Sequence, residues 1–345
     1  MVPNKFPTTE TAHRLALIGE APSADEEYAG EPFVGVSGRF LGAVMSKAGL
    51  ALSCCFKGNI SQHRPPENKI SAFKWDGSEI QSGIAQLKLD LDKFKPNIIV
   101  CLGNVPLKAA KDVEKVHPLV PKLYKFKNAK WRGSLFSALF FNGRKCISTY
   151  HPAYVLRDYK TAPLFAFDLK RAVSEALNPT LVLPKRMLLT EPTYDQTIEN
   201  LRALRTSKAP IALDIEGGVN TMSCISFATL PSLAFIVPFT RKDGSSYWTE
   251  QNECRIWREL ALTLEDPNIP KCLQNSLYDT FVLQYSYGIR VRNVVDDTML
   301  KHWSLYCELR KSLGVQTSIY TREPYYKFMR LQANDDLEPR EKNED

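Results

Sequence analysis

The alternation of apolar and polar positions divides the first half of the chain into short strands and longer helices. Apolar runs closed by glycine or a polar residue predict buried strands at residues 15–19, 54–60, 96–103, 134–141 and 145–150. Apolar residues at helical spacing predict helices at residues 37–49, 78–95 and 163–177. Strands and helices that alternate in this way predict an α/β fold built on a doubly wound parallel sheet.

The second half has a different order, because its strands come first and its helices follow. Three prolines mark residues 179–192 as a linker between a domain at 1–178 and a domain at 193–330. The pattern predicts strands at residues 211–214, 221–229 and 233–238, and helices at residues 194–204, 251–264, 276–287 and 298–309. These elements predict a second α/β unit with a mixed sheet. Residues 331–345 hold six acidic and two basic residues, which predicts a disordered acidic tail.

The composition narrows the class of protein. The chain has 345 residues, of which 44% are hydrophobic and 24% charged, and no apolar run approaches the roughly 20 residues that cross a bilayer. The first ten residues lack the apolar core of a secretory signal. Eight cysteines are scattered without any CxxC pair, so neither a zinc site nor a disulfide framework is indicated. We therefore predict a protein of the reducing cytoplasm (the host cytoplasm if it is viral) without a membrane partner.

The positive charge is concentrated in the first half. Residues 1–180 hold 25 Lys/Arg against 16 Asp/Glu, a net charge of +9, whereas the remainder holds 20 against 22, a net charge of −2. Residues 115–132 contain six basic residues, among them Lys125 and Lys127, no acidic residue, and three interleaved aromatic residues. This stretch has two open interpretations, a surface for nucleic acid and an ordinary solvated loop. The basic half is the predicted DNA-docking half.

Polar residues follow the predicted strands of the first domain where open α/β sheets place ligands. Glu20 follows the first strand, Asn59 closes the second, and His151 stands in a proline turn after the last. An asparagine amide offers both a donor and an acceptor, which reading the edge of a base requires. Phe33, on a rigid proline–glycine loop, can stack on a flat base. Each residue alone has a commoner structural interpretation, and their combination carries the prediction.

The loop after Phe33 opens the next helix with Ser37 and Gly38. Free backbone N–H groups at a helix start favour phosphate, and an ordinary helix cap is the alternative interpretation.

These motifs in order resemble the uracil-DNA glycosylase superfamily, and within it the bacterial and archaeal iron–sulfur class. The resemblance covers residues 13–177 and rests on GEAP, GEPFVGVSG, the run from Asn59 through RPPEN, PNIIVCLGN and HPAYVLR. It implies that Glu20 positions or activates the attacking water, that Phe33 stacks on the base, and that Asn59 reads its edge. It also implies that His151 stabilises the departing uracil anion. Tyr154 begins the loop that wedges into the duplex, and Arg157 is expected to hold a phosphate.

The cysteines depart from the iron–sulfur class. That class uses four cysteines, two of them before the first motif, whereas the first cysteine here is Cys54. His63 stands where the third cysteine would precede Arg-Pro-Pro. We therefore predict that no iron–sulfur cluster is present.

Paired acidic residues mark the second domain. Asp214 and Glu216 lie two apart on a predicted strand, so both point to one face, where paired carboxylates can hold divalent metals. Asn275 and Asp279 follow at the start of a helix. The order DIE, NxxxD and DDT resembles the DEDD-type 3′–5′ proofreading exonuclease domain of family A DNA polymerases, and residues 312–327 resemble its bacteriophage branch. The resemblance implies a ribonuclease-H-like fold, Mg²⁺ or Mn²⁺ on Asp214, Glu216 and Asp279, and a DNA end oriented by Asn275.

The last motif of that family, Y-x-x-x-D, is missing. Tyr325 is followed four residues later by Met329, and Tyr326 by Arg330, so we expect an incomplete exonuclease domain. The predicted function is that of a DNA replication or repair protein, the front part of a phage-type polymerase, which excises uracil or a modified pyrimidine. The alternatives are metal-dependent 3′–5′ trimming and a non-catalytic DNA-binding module of a split polymerase. Expected partners are DNA and a polymerase fragment or other replication proteins.

Overall fold

The computed structural model describes residues 1–110 and 128–323. They form two compact units: Met1–Leu183 together with the described residues from Gly314 onward, and Pro184–Leu313. The predicted basic contacts Lys125 and Lys127, and the predicted acidic tail at 331–345, lie outside the described residues.

A five-stranded sheet is the centre of the first unit. Its strands are ordered β2-β1-β3-β5-β4, and all neighbours are parallel except β4, which runs antiparallel to β5. The strands are β1 (Leu15–Gly19), β2 (Phe56–Asn59), β3 (Ile98–Leu102), β4 (Leu135–Ala138) and β5 (Arg144–Thr149). Every residue of β1, β2 and β3 is buried, because helices cover both faces of the sheet. The predicted doubly wound fold is confirmed.

Two apolar clusters hold these layers together, one on each face of the sheet. Alternate residues of β1 divide between them: Ala16 and Ile18 join one cluster, and Leu15 and Leu17 join the other. Within residues 1–110 and 128–183, the α-helices are α1 (Ala24–Ala29), α2 (Val36–Lys47), α3 (Ser78–Phe94), α4 (Asn104–Ala109), α5 (Asn128–Trp131), α6 (Pro152–Arg157) and α7 (Ala162–Glu175).

A six-stranded mixed sheet forms the second unit, in the order β11-β10-β7-β8-β9-β6. Its strands are β6 (Met187–Leu189), β7 (Ile211–Gly217), β8 (Met222–Leu230), β9 (Leu233–Pro238), β10 (Lys271–Leu273) and β11 (Val294–Asp297). Its helices are α8 (Tyr194–Ser207), α9 (Glu250–Leu264), α10 (Ser276–Tyr287) and α11 (Thr298–Leu305). The mixed sheet expected from the strand pattern is present.

Strand β6 lies within the stretch that the sequence predicts as a linker. It pairs in parallel with β9 at the edge of the sheet, and its residues Met187 and Leu188 are exposed. The sequence gives no signal for this strand, because three apolar residues are too few to show a period. An edge strand this short is held mainly by its backbone hydrogen bonds.

The last helix, α12 (Leu313–Tyr320), follows the second unit in sequence, but its residues from Gly314 onward group with the first unit. Among the described residues, no helix has the length and apolar character that crossing a membrane requires.

Close packing of helix α3 on the segment that directly follows strand β2 depends on Gly83. A Cβ atom at this position would lie 2.4 Å from the carbonyl oxygen of Ile60 and 3.0 Å from the Cα of Ser61. We expect Gly83→Ala to lower the free energy of unfolding by about 1–3 kcal/mol, because backbone cannot yield as a flexible side chain can. The sign of this change distinguishes a tightly packed glycine from an exposed one, because Gly→Ala at an exposed helical position raises the free energy of unfolding by up to about 1 kcal/mol.

Gly314→Ala on α12 is the matched control, because a Cβ there meets nothing within 4 Å. Urea unfolding followed by circular dichroism measures both variants. Equal or greater stability of Gly83→Ala would contradict the packing of α3 described above.

Candidate functional site

A cavity of about 580 Å³ opens where the parallel strands of the first unit end. Its lining includes the following residues that the sequence predicts as functional: Glu20, Phe33, Ser37, Asn59, His151, Tyr154 and Arg157. Glu20 follows β1, Asn59 ends β2, and His151 lies two residues after β5. The sheet topology therefore brings these three side chains, which are far apart in sequence, to one cavity.

Glu20 is the carboxylate of this cavity. Its backbone carbonyl accepts a hydrogen bond from the Ser61 amide at 3.1 Å, which fixes the chain directly after β1. Burial raises the pKa of the Glu20 carboxyl above its usual value. A carboxylate with a raised pKa binds a proton more readily than an exposed one, which suits it to accept a proton from water.

Gly19 lets Phe33 and Asn59, the two predicted base-contact residues, lie close together. It is the register partner of Asn59 on the neighbouring strand. A Cβ atom at residue 19 would lie 2.4 Å from Oδ1 of Asn59 and 3.0 Å from the ring of Phe33. Asn59 and Phe33 are both buried, at 4% and 7% exposure. The amide and the aromatic ring therefore share one wall, whose shape only glycine permits.

A buried carboxylate holds the loop that carries Phe33. Phe33 has a φ of +62°, in the left-handed region that L-residues rarely adopt. Its backbone amide donates to Oε1 of Glu26 at 2.6 Å, and the Ser23 amide donates to Oε2 of the same carboxylate at 2.7 Å. Glu26 thus joins the start of α1 to the Phe33 loop and stabilises its unusual backbone conformation.

His151 is the N-cap of the short helix α6. Its Nδ1 accepts a hydrogen bond from the Ala153 amide at 3.2 Å, so the ring proton lies on Nε2 in the neutral tautomer. Burial lowers the pKa of His151 to about 4, and the positive charge of Arg157 contributes to this shift. At neutral pH the imidazole is therefore uncharged and has an Nε2–H group to donate.

Two glycines shape the surroundings of these groups. Gly103, with a φ of +97°, lies against His151, where a Cβ would be 3.1 Å from the histidine Cβ. Gly38 packs beneath the Phe33 loop, where a Cβ would lie 1.9 Å from the Phe33 carbonyl oxygen. The predicted phosphate-contact residue Gly38 is therefore in contact with the backbone of the stacking loop, and Ser37 lines the cavity.

The acidic residues of the second unit lie on one exposed face of β7. Asp214 and Glu216 are exposed, whereas Leu213 and Ile215 between and beside them are buried. Asp279, on α10, is buried and accepts a hydrogen bond from the Ile215 amide at 3.1 Å. Burial, with a further contribution from the charge of Asp214, raises the pKa of Asp279 to about 6. The three predicted ligands are therefore near neighbours across β7 and α10.

Backbone amides donate hydrogen bonds to the carboxylate of Asp297. It accepts hydrogen bonds from the amides of Asn275 and Ser276 at the start of α10, and from Met299 at the start of α11. Burial alone would raise the pKa of Asp297, but these amide hydrogen bonds outweigh it and the pKa is lowered. Asn275 has a left-handed φ of +62° at the N-cap of α10.

The donor chemistry of Asp214, Glu216 and Asp279 suits a hard divalent cation. However, within residues 1–110 and 128–323, no group of three or more His, Cys, Asp or Glu side chains is arranged to hold an ion.

Comparison with known families identifies both units. Residues 6–178 match the family model of the uracil DNA glycosylase superfamily. The chain belongs to the uracil DNA glycosylase superfamily. Residues 186–321 match a 3′–5′ exonuclease family model, so the chain joins a glycosylase domain to an exonuclease domain, as the sequence motifs predict.

Curated proteins similar to this chain include several type-4 uracil-DNA glycosylases. The enzyme of Pyrobaculum aerophilum is 32% identical over 155 residues, which are 45% of this chain and 74% of the relative. That of Thermotoga maritima is 29% identical over 162 residues, 47% of this chain and 73% of the relative. Among solved structures, the EXD2 exonuclease domain soaked in Mn and GMP is 22% identical with a TM-score of 0.26, covering 34% of this chain and 58% of that one.

Glu26 is the residue of the glycosylase cavity that the chemical motifs miss. Its carboxylate is buried, whereas the other two acidic residues in the first turn of α1, Asp25 and Glu27, are exposed. A sequence signal for it exists, because Ser23-x-x-Glu26 is a capping box, and both of its hydrogen bonds are present. Tyr150, whose ring stacks on Tyr154 at 5.3 Å, is a second lining residue that the motifs do not indicate.

The protonation state of His151 can be measured directly. We expect proton–nitrogen NMR correlations at pH 7 to show a neutral ring with its proton on Nε2, because Nδ1 accepts from Ala153. The ring should take up a proton only near pH 4, where its pKa lies. His151→Gln assigns the signal. If the ring of His151 is charged at pH 6, or carries its proton on Nδ1, the hydrogen bond from the Ala153 amide is contradicted.

Proposed function

We propose that the glycosylase unit excises uracil, or a closely related pyrimidine, from DNA by hydrolysing the N-glycosidic bond. The observation that carries this proposal is one cavity that holds a carboxylate with raised pKa, Glu20, and a neutral histidine, His151, beside a buried amide and aromatic ring. Membership of the glycosylase superfamily supports it.

The base must first leave the duplex stack to reach such a cavity, which costs a few kcal/mol. In the cavity, Phe33 stacks on the flipped base and Asn59 reads its edge by hydrogen bonds. The shared wall around Gly19 supports this pairing, because it holds the ring and the amide side by side.

Bond cleavage separates charge, and two side chains oppose that separation. As the bond between the sugar C1′ and the base nitrogen breaks, positive charge grows on the sugar and negative charge on uracil. The Glu20 carboxylate stabilises the sugar cation and accepts a proton from the water that attacks C1′. The Nε2–H of His151 donates to the departing uracil anion. The neutral ring can make this hydrogen bond, because Nδ1 accepts from the Ala153 amide and the ring proton therefore lies on Nε2.

The outer part of the cavity is the proposed contact with the strand. Tyr154 and Leu156 are exposed on α6 and are placed to enter the gap that the flipped base leaves. Arg157 and the start of α2 at Ser37 are the proposed phosphate contacts. Gly38, Lys125 and Lys127 remain predicted contacts on sequence grounds alone.

A labelled oligonucleotide with one deoxyuridine tests this function. In EDTA, followed by hot alkali, we expect strand breakage at the uracil. Glu20→Gln and His151→Ala should each slow excision roughly 10²–10⁴-fold, the usual contribution of a positioned acid or base.

Excision by the unaltered chain should fall on acidification through the raised pKa of Glu20, because only the carboxylate form accepts a proton. His151 stays neutral down to about pH 4 and should not limit this range.

Glu10→Gln is the matched control, because Glu10 is an exposed carboxylate of the same unit. An intact strand with the unaltered protein would refute the proposal. Full activity in both Glu20→Gln and His151→Ala would show instead that another pocket performs the reaction.

We propose that this activity needs no iron–sulfur cluster. Support comes from the sequence, in which Cys54 is the first cysteine and His63 stands where the third cysteine of the iron–sulfur class would precede Arg-Pro-Pro. We assign the divalent metal to the exonuclease unit.

A second candidate function is metal-dependent 3′–5′ trimming of DNA with Mg²⁺ or Mn²⁺ at Asp214, Glu216 and Asp279, with Asn275 at the DNA end. The exonuclease family match and the shared acidic face of β7 favour it. Because neither Tyr325 nor Tyr326 is followed four residues later by an aspartate, the fourth carboxylate of the family motif is not supplied there, and trimming should be slow.

Mn²⁺ separates the two activities. We expect added Mn²⁺ to produce slow loss of 3′ nucleotides from single-stranded DNA, and Asp214→Asn to abolish it. Glu20→Gln should trim normally and thereby serve as the control. If Asp214→Asn trims as fast as the unaltered chain, the acidic face of β7 is not the site. If the unaltered chain does not trim at all, we assign this unit a role in DNA binding only.

We further propose that the chain works in replication or repair as the front part of a phage-type polymerase, in the cytoplasm of its cell. The resemblance of residues 312–327 to the phage branch of the family and the joining of two DNA-processing domains support this context. A polymerase fragment that supplies the missing carboxylate is the partner it implies.

A further inference from the structure

A buried polar network lies behind the glycosylase cavity. Arg132 and Asp168 form an ion pair whose side chains are 2% and 1% exposed, with Nε of Arg132 donating to Oδ2 of Asp168 at 3.0 Å. Asp168 Oδ2 also accepts a hydrogen bond from Oγ1 of Thr149 at 2.7 Å. The remaining guanidinium nitrogen, Nη1, donates to Oγ of Ser318 at 2.7 Å. Ser318 belongs to α12, which follows the exonuclease unit in sequence.

Several further contacts hold α12 against the glycosylase unit. Arg171 donates to the carbonyl oxygens of both Gly133 and Ile319 at 2.8 Å. Arg322, after the helix, pairs with Glu175 at 2.7 Å. Gly133 has a φ of +72°, and a Cβ there would lie 2.8 Å from Oδ1 of Asp168 and 2.9 Å from the carbonyl oxygen of Ser318. Glycine therefore permits α12 to approach the ion pair closely.

The network reaches the cavity through the end of β5. Thr149 is the last residue of that strand, and Tyr150 and His151, which line the cavity, follow it directly. The Thr149 carbonyl also accepts the Gly103 amide at 2.9 Å, and Gly103 lies against His151. The position of Thr149 therefore sets where the chain to His151 begins.

We propose that α12 is a positioning element of the glycosylase site, acting through Ser318, Arg132 and Asp168 on Thr149 and so on His151. The proposal rests on the glycosylase function proposed above. Ser318, Asp168 and Thr149 are positioning residues, since none of them lines the cavity. A segment that follows the exonuclease unit in sequence thereby contributes to the chemistry of the glycosylase unit.

Two mild substitutions in the full-length chain test this. Thr149→Val removes the hydroxyl donor at nearly constant volume, and Ser318→Ala removes the acceptor of Arg132. We expect each to lower kcat for uracil excision on the order of tenfold with KM little changed, because misplacement of a catalytic group affects the reaction more than binding. The Nε2 resonance of His151 should shift in both variants. Thr149→Ser, which keeps the hydroxyl, should restore both properties.

Thr321→Val is the matched control, because the hydrogen bonds that its hydroxyl makes to described residues, with the Thr317 carbonyl and the Glu323 amide, stay within the same segment. It should leave kcat and the His151 resonance unchanged. Folded Thr149→Val and Ser318→Ala proteins with unchanged kcat and an unchanged resonance would overturn the proposal. Thr149 and Ser318 lie in separate segments, so the proposal can be tested even if only one of the two variants folds. If the unaltered chain releases no uracil, the proposed function fails, and the His151 resonance still decides whether α12 positions this residue.

Discussion

The cavity of the glycosylase unit depends on one constraint: parallel strands of a sheet end at the same edge. Glu20, Asn59 and His151 are widely separated in sequence, and each stands at or just after the end of a buried strand. Backbone pairing fixes the register of these strands, and a slip of one residue would turn a side chain to the opposite face. The pairing of Gly19 with Asn59 illustrates the precision involved, because the missing side chain of one residue makes room for the amide of the other.

Burial has opposite effects on the two ionisable groups of this cavity. It raises the pKa of Glu20 and lowers that of His151, because in both cases it disfavours the charged form. A site that resists charge in its resting state also strengthens each electrostatic contact made during bond cleavage, since little water competes. Asp279 in the exonuclease unit is shifted in the same direction as Glu20 for the same main reason, with Asp214 as an additional cause.

The sequence predicts the parts of this molecule whose signals are local. Apolar runs and helical spacing identify the strands and helices that carry the motifs, and the order of the motifs indicates both domains. Strand β6 escapes prediction because three residues between prolines have no period. Glu26 escapes because a capping-box acid is ordinarily a surface residue, whereas here its second oxygen binds the Phe33 amide. The pairing of Ser318 with Arg132 has no sequence signal, since nothing local specifies contacts across so long a separation.

The return of α12 to the glycosylase unit has a consequence for biosynthesis. Chains fold from the N-terminus as they leave the ribosome, at about 5–20 residues per second. The glycosylase unit has its sheet by Thr149, yet the side chain that satisfies Arg132 is made only after the whole exonuclease unit. Until then one nitrogen of a guanidinium bound for the interior lacks its final partner. The buried hydrogen bond between Arg132 and Ser318 can therefore form only after the ribosome has synthesised the exonuclease unit.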